Sequence, residues 1–304
     1  MTTLITGGSG LLGSHFTWGL KPTRKEVNLL NYDSLADYIK TNRVERIVHS
    51  AAIVGGVHAN TSLICDFFLG NLEMNVNVLK ACKEFKLNNS IFILSTCVFP
   101  SAAPLPLDES MIHDGEPHHT NYGYAYAKRM LEVGSRVLKQ QYGINTTCLV
   151  PTNLYGENDN HDLLNGHLIP SLIHKCYLAK KNNTDFVVWG DGTPLREIIY
   201  AGDVVRIIEK MNEGQSNGVD YPRMIIVSSS VEHSTREVAE MIAKKMEFSG
   251  NIVFDTTRPN GAHKKTSNST VFKTNFPDFK WTTLEDGIEQ SIEYFVTNYP
   301  NVRK

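Results

Sequence analysis

The sequence predicts an α/β fold: a doubly wound parallel sheet with a smaller α/β lobe behind it. Three observations carry that prediction. Short apolar runs rich in Ile, Val and Leu alternate with longer helical patterns through the first half, the rhythm of strands joined by crossover helices. A glycine-rich turn follows the first run directly. After Pro151 the alternation loosens into Gly, Asn and Asp clusters at 156–166, 182–185 and 190–194, so a more irregular unit takes over.

Taken in order, the runs at 2–6, 46–50, 90–94 and 146–150 read as buried strands, because a strand covered on both faces is apolar throughout rather than alternating. The helical stretches are 11–20, 34–41, 62–85 and 122–142. We place a Rossmann-like dinucleotide-binding domain at 1–153 and a second domain at 154–304, some of whose segments return to the sheet. In that second half Ser234 with Glu237, and Thr282 with Glu285, each set a carboxylate three residues after a hydroxyl, which predicts two capped helix starts. The basic, polar stretch 256–269 between them reads as a loop.

Composition excludes several classes. The 304 residues hold 30 Lys plus Arg against 32 Asp plus Glu, too even a balance to hold nucleic acid or an anionic membrane by bulk charge. With 41% hydrophobic residues the chain has material for a packed interior, unlike a disordered one. Cys65, Cys82, Cys97, Cys148 and Cys176 are scattered and odd in number, which fits a reducing compartment better than a disulfide framework or a zinc site. No leader and no apolar run of about 18 residues is read. A cytoplasmic enzyme without a metal is the expectation.

Gly7, Gly8, Ser9, Gly10, Leu11, Leu12 and Gly13 form a G-x-x-G-x-x-G between the first strand and a helical pattern. Such glycines permit the tight turn and the close backbone approach that a pyrophosphate needs. About 20 residues further on, an acidic residue suits NAD and an arginine suits the 2′-phosphate of NADP. Here the stretch Lys21-Pro22-Thr23-Arg24-Lys25-Glu26 puts the basic residues first, favouring NADP and Arg24 as its contact, with an exposed basic turn as the alternative. Only ten residues separate Gly13 from Arg24, so the first helix and the second strand must be trimmed.

Tyr124 and Lys128 stand four apart in a helical pattern and therefore share a face. An ammonium there lowers the pKa of a phenol acid and holds a nicotinamide ribose. Alone, the pair also reads as a surface pair. Ser95, at the end of the third predicted strand, shifts the balance, because open parallel sheets place their sites at the carboxyl ends of strands. Cys97 follows two residues later, hence on the same side. His113, His118 and His119, and His161 between Asp159 and Asp162, read as loop residues without a metal-ligand pattern.

The glycine motif, Ser95 and Tyr124-x-x-x-Lys128 together resemble the extended short-chain dehydrogenase/reductase superfamily. Within it, Ala51-Ala52-Ile53-Val54-Gly55-Gly56-Val57, Ser95-Thr96-Cys97-Val98-Phe99-Pro100, Pro151-Thr152-Asn153-Leu154-Tyr155-Gly156, Gly166-His167-Leu168-Ile169-Pro170 and Trp189-Gly190-Asp191-Gly192-Thr193-Pro194-Leu195-Arg196 resemble the GDP-L-fucose synthase family over nearly the whole chain. The resemblance implies NADPH-dependent 3,5-epimerisation and 4-keto reduction of GDP-4-keto-6-deoxy-D-mannose. It also implies a homodimer pairing helices 62–85 and 122–142.

Carried over by position, the resemblance implies a reductive triad of Ser95, Tyr124 and Lys128, with Cys97 and His167 for epimerisation. NADP(H) contacts fall on the glycine loop, Arg24, Ala51, Ala52, Ile93, Leu94, Ser95, Thr96, Lys128, Pro151, Thr152, Asn153, Leu154 and His167. Those to the GDP-sugar fall on Asn153, Lys175, Trp189, Arg196 and Lys265. Where the family often has Arg, this chain has Lys175, a point charge rather than a fork. The chemistry is coherent: a 4-keto group acidifies C3 and C5, so inversion needs a base on one face and an acid on the other. A thiolate and an imidazole suit those duties. Competing readings are an epimerase/reductase of another nucleotide-linked 4-keto-6-deoxyhexose and a non-catalytic NADP sensor.

Overall fold

The structure, a computed structural model, describes residues 1–258, 260 and 263–304; the side chains of Val57 and His58 lie outside that description, as do positions 259, 261 and 262 of the loop read over 256–269. From the N-terminus come β1 (Thr3–Thr6), α1 (Leu11–Ser14), α2 (Tyr32–Asn42), β2 (Arg46–His49), α3 (Val57–Ser62), α4 (Ile64–Glu84) and β3 (Ser90–Ile93). Then follow α5 (Tyr122–Tyr142), β4 (Thr146–Pro151), β5 (Asn153–Tyr155), α6 (Leu168–Asn182), β6 (Phe186–Trp189) and β7 (Leu195–Tyr200). The remainder is α7 (Ala201–Ser216), β8 (Met224–Val227), β9 (Glu232–Ser234), α8 (Thr235–Lys245), β10 (Ile252–Asp255), α9 (Thr270–Asn275) and α10 (Leu284–Asn298).

Five strands make one parallel sheet in the order β1-β2-β3-β4-β8. Every residue in them is buried, because helices cover both faces. Leu35, Ile39, Val78, Ala81, Leu131 and Leu138 from α2, α4 and α5 pack on one side. Leu12, Val204, Ile208, Met211 and Phe272 from α1, α7 and α9 pack on the other. A third apolar core lies outside this sandwich, where α6, α8 and α10 enclose Tyr155, Ile173, Phe186, Ile242, Ile288 and Phe295. Its strands form two small sheets, β6 with β10 in parallel, and β7 between parallel β5 and antiparallel β9.

Three expectations need correction. The helix read over 11–20 is a single turn, Leu11–Ser14. Trimming is required because Leu20 must reach the edge of β1, where it pairs with Leu4 and its amide donates to the Thr3 carbonyl at 2.9 Å. Gly19 makes that turn at φ +81°, where a Cβ would meet Ile5 Cδ1 at 2.7 Å. That one bridge is what the chain retains of a second strand. The helix read over 62–85 starts two residues later, as α4, and Ser62 instead ends the short α3, the break falling at Leu63 (φ −115°, ψ 35°). The capped start read at Thr282 sits one residue later, at Thr283 with Asp286. Thr282 is taken instead by buried Asp203, which accepts from its hydroxyl at 2.6 Å and its amide at 2.8 Å. The box at Ser234 and Glu237 forms as read.

Helix α5 is the most heavily tied element. Its Tyr124, Lys128 and Glu132 repeat every four residues on the buried face. Glu132 has no exposed side-chain surface and meets His113 at 2.7 Å, Arg136 at 3.0 Å and Arg223 at 2.9 Å. Burial pushes this carboxyl up, and the hydrogen bonds from His113 and Arg136 with the Arg223 charge outweigh it, leaving it below its usual range. A depressed folded pKa contributes stability above the unfolded value, lost as pH falls through the folded one. Glu132→Gln is therefore expected to lower stability by about 2 kcal/mol at pH 7 and to flatten the loss of stability below pH ~4.5. Urea unfolding at pH 7 and pH 3.5 measures both.

Candidate active site

A cleft of about 950 Å³ opens at the carboxyl ends of β1 to β4, where doubly wound sheets hold their ligands. Gly7 through Gly13, Arg24, Ala51, Ala52, Ile93 through Thr96 and Pro151 through Leu154 all line it, together with Cys97, Tyr124, Lys128, His167, Arg196 and Lys265. Of the residues expected to work together, all but Lys175 and Trp189 are thus brought together.

Its floor is the glycine loop. Gly7 sits at φ +72°, and a Cβ there would meet the Ala51 backbone at 2.9 Å. A Cβ on Gly13 would lie 2.1 Å from the Gly7 carbonyl oxygen. These two glycines are fixed by their own chain. Gly10 is different: apart from the Gly7 carbonyl oxygen at 3.3 Å, the space its Cβ would take meets only Arg303 Nη1, at 3.9 Å. That is the open approach a pyrophosphate requires, so the loop fits the dinucleotide predicted for it.

The wall is α5. Lys128, 2% exposed, donates from Nζ to the Ile93 carbonyl at 2.8 Å, and burial lowers its pKa to about 8. Tyr124 is buried as well, and burial, then the charge of Cys97, push its phenol upward. The expected lowering of the phenol by the ammonium is therefore not found: desolvation dominates, and the ammonium is engaged by a main-chain oxygen. The result is a phenol that keeps its proton at neutral pH, the form a proton donor needs. Behind Lys128 lies fully buried His49, whose Nδ1 bonds Thr6 Oγ1 at 2.8 Å and whose Nε2 bonds Asn75 Oδ1 at 3.0 Å. Asn75 Nδ2 in turn donates to the Ala127 carbonyl at 2.7 Å. Burial and then the Lys128 charge push His49 down to about 3, so it is a neutral tie between β1, β2, α4 and α5.

Ser95 lies two residues past the end of β3 in extended conformation, and its hydroxyl accepts from the Cys97 amide at 3.3 Å, capping a 3₁₀ turn at Thr96–Val98. The expected strand alternation stops at Ile93, so it is this turn that brings Cys97 to the cleft. Arg129 clamps the turn from α5, with Nε and Nη2 on the Val98 carbonyl at 3.0 and 2.6 Å. His167 is the residue before α6, its side chain about half exposed, and its Nδ1 lies 3.4 Å from Oδ1 of buried Asp159. The hydrogen bond to Asp159 raises the imidazole pKa, against burial and the charge of Arg303.

Asn153 donates to the Glu197 carbonyl at 2.7 Å, and Arg196 to the Leu195 carbonyl at 2.7 Å. Lys175 and Trp189 do not line the cleft. They pair with each other, the ammonium 3.9 Å from the indole centre, while Arg258 lies 5.2 Å from the same ring. Burial, then Arg258, lower Lys175 to about 8. Sequence reasoning missed Asp159, Asn75, His49 and Arg303. Asp159 was visible beside His161 but carried no spacing signal. His161 itself is structural, its Nδ1 on the Pro170 carbonyl at 3.2 Å and its ring against Phe295. His113 belongs to Glu132, and His118 bonds Thr120 at 2.8 Å.

Residues 3–226 match the model of the NAD dependent epimerase/dehydratase family. The chain belongs to that family. The GDP-L-fucose synthase of Dictyostelium discoideum is 39% identical over 100% of this chain and 98% of its own. That of Escherichia coli K12 is 31% identical over 98% of each. The crystal structure of a GDP-L-fucose synthetase from Naegleria fowleri bound to NADP superposes with a TM-score of 0.91 and 36% identity, over 100% of this chain and 95% of the other. The family match and these full-length similarities agree with the cleft's position and its glycine floor.

The pairing of His167 with Asp159 has a measurable consequence. A raised folded pKa means that the pair's stabilisation is complete below the unfolded value near 6.5 and is lost as pH rises through the folded one. Asp159→Asn is expected to bring the His167 midpoint back to or below 6.5, read from its imidazole C2 proton by NMR titration.

Proposed function

We propose that this chain is an NADPH-dependent enzyme that epimerises C3 and C5 of GDP-4-keto-6-deoxy-D-mannose and reduces C4, giving GDP-L-fucose. The observation that carries this is the convergence, in one cleft, of the Tyr124 and Lys128 pair with a thiol and an imidazole. A reductase alone has no use for Cys97 and His167. The full-length similarity to GDP-L-fucose synthases supports the choice of sugar nucleotide.

The glycine loop and Lys128 would hold the cofactor, Arg24 its 2′-phosphate, and bound NADPH supplies the hydride for C4. Cys97 removes the proton at C3 or C5 and His167, whose imidazolium form Asp159 favours, returns one from the opposite face. Each inversion thus leaves the number of protons unchanged. Tyr124 then gives its phenolic proton to the C4 oxygen, with Ser95 hydrogen-bonding that oxygen. Asn153, Arg196 and Lys265 orient the sugar diphosphate. Lys175 and Trp189 form an outer shelf for the guanine end, which the ammonium on the indole face leaves accessible mainly at the ring edge. In this reading the sheet domain, 1–153, binds the dinucleotide and most of 154–304 binds the sugar nucleotide.

We also propose a homodimer through α4 and α5 in a cytosolic setting. Support comes from apolar side chains exposed on those helices, Ile64, Leu69 and Val76 with Met130 and Val137, a stripe suited to a two-fold helical bundle. The five cysteines are all free. Light scattering is expected to give twice the 34.1 kDa chain mass, and Leu69→Glu with Val137→Glu to give the single chain.

Two variants test the chemistry. Tyr124→Phe keeps the ring and removes the donor, so turnover of NADPH is expected to fall by 10²–10⁴-fold with NADPH affinity nearly unchanged; turnover above about a tenth of wild type excludes the assignment. Cys97→Ser replaces a thiol by a hydroxyl that ionises far less readily, so deuterium uptake at C3 and C5 in D₂O without NADPH is expected to fall far more than reduction does. Wild-type exchange in that variant would make the thiol mere packing. Offering GDP-, UDP- and dTDP-linked 4-keto sugars to the wild type identifies the base.

A further inference from the structure

We propose that Arg303, on the segment that follows α10, reaches back over the glycine loop and pairs with the diphosphate bridge of the dinucleotide. This rests on the functional reading above and adds to it a ligand contact from the far end of the chain.

Three observations fix the segment. Asn301 donates its amide to the Asn298 carbonyl at 2.7 Å, Val302 is buried in the core formed by α6, α8 and α10, and the Arg303 carbonyl accepts from the His161 amide at 2.8 Å. The residue before Arg303 and the Arg303 carbonyl itself are thus anchored, and its side chain lines the cleft beside the glycine loop and His167. Its Nη1 is the side-chain atom met 3.9 Å from where a Cβ on Gly10 would stand. Gly10 is the one glycine of the loop whose missing side chain leaves room for a ligand rather than for the chain itself. Its space therefore faces a cation.

Among the described residues no carboxylate forms an ion pair with Arg303. The nearby Asp159 is directed to His167. A guanidinium presents a planar fork of donors that matches two phosphate oxygens at once. The diphosphate chemistry has two sources in this protein, the dinucleotide and the sugar nucleotide, and closeness to Gly10 selects the first. Arg24, by contrast, is placed for the 2′-phosphate, which only NADPH carries.

The test is equilibrium binding of NADPH, NADH and GDP by calorimetry to wild type, Arg303→Gln, Arg303→Lys and Arg24→Gln, with thermal melts of each. Arg303→Gln is expected to weaken NADPH and NADH by the same factor, roughly 10- to 100-fold, to leave GDP unaffected and to melt as wild type does. Arg303→Lys should recover part of the loss, and Arg24→Gln should weaken NADPH alone. Unchanged or tighter dinucleotide binding in Arg303→Gln overturns the proposal, the tighter case making the side chain a plug. A loss confined to GDP, or to NADPH without NADH, overturns it in favour of the sugar diphosphate or the 2′-phosphate. A wild-type chain that binds neither dinucleotide overturns the functional reading and this inference with it, whereas normal wild-type binding with an unaffected Arg303→Gln overturns this inference alone.

Discussion

The burial of one ammonium group organises this molecule. Lys128 is enclosed between α5 and the end of β3, and a charge out of water is tolerated only where neighbouring groups satisfy it. That requirement fixes the helix against the sheet in both rotation and height. The Ile93 carbonyl must meet Nζ, His49 must stay neutral beside it, and Asn75 must hold the Ala127 carbonyl. One turn further, Glu132 gathers His113, Arg136 and Arg223. In between, Arg129 grips the turn that carries Cys97. Tyr124, Lys128 and the thiol of Cys97 are therefore placed by the same helix, and a displacement of α5 moves all three.

Much of this was legible in the sequence where a residue's role is local. The glycine loop shows itself because only glycine tolerates the crowding at Gly7 and Gly13, and Tyr124 and Lys128 show themselves through helical spacing. Even the trimming of the first helix followed from counting ten residues between Gly13 and Arg24. Tertiary competition was not legible. Thr282 looked like a cap until Asp203, far away in sequence, took its hydroxyl. Asp159 joined His167 because a loop folds back, and no periodicity announces that. The phenol's upward shift was likewise hidden, since spacing reports proximity but not desolvation.

The cleft divides its electrostatic work by depth. At the bottom, burial drives Lys128 and Tyr124 toward their neutral forms. Near the rim, His167 keeps water on one side and a carboxylate on the other, and shifts the opposite way. Farther out, Lys175 rests on Trp189 rather than facing the cleft. The titratable groups of the cleft are graded between a dry wall and a wet entrance, and a ligand that closes the entrance changes the rim groups more than the deep ones.

The reduction of a whole strand to the single pairing of Leu20 with Leu4 bears on coenzyme choice. In the proposed function the adenosine end of the cleft is made from the turns at 21–31 instead of from sheet, and most of those residues are exposed. Apart from Val27, buried in the core under the sheet, and Leu29, packed against it, substitutions there disturb no strand register and no core. In the proposed function the choice between the phosphorylated and unphosphorylated dinucleotide is therefore made by exposed side chains that share no packing with α5, and it can be altered without moving Tyr124 or Lys128.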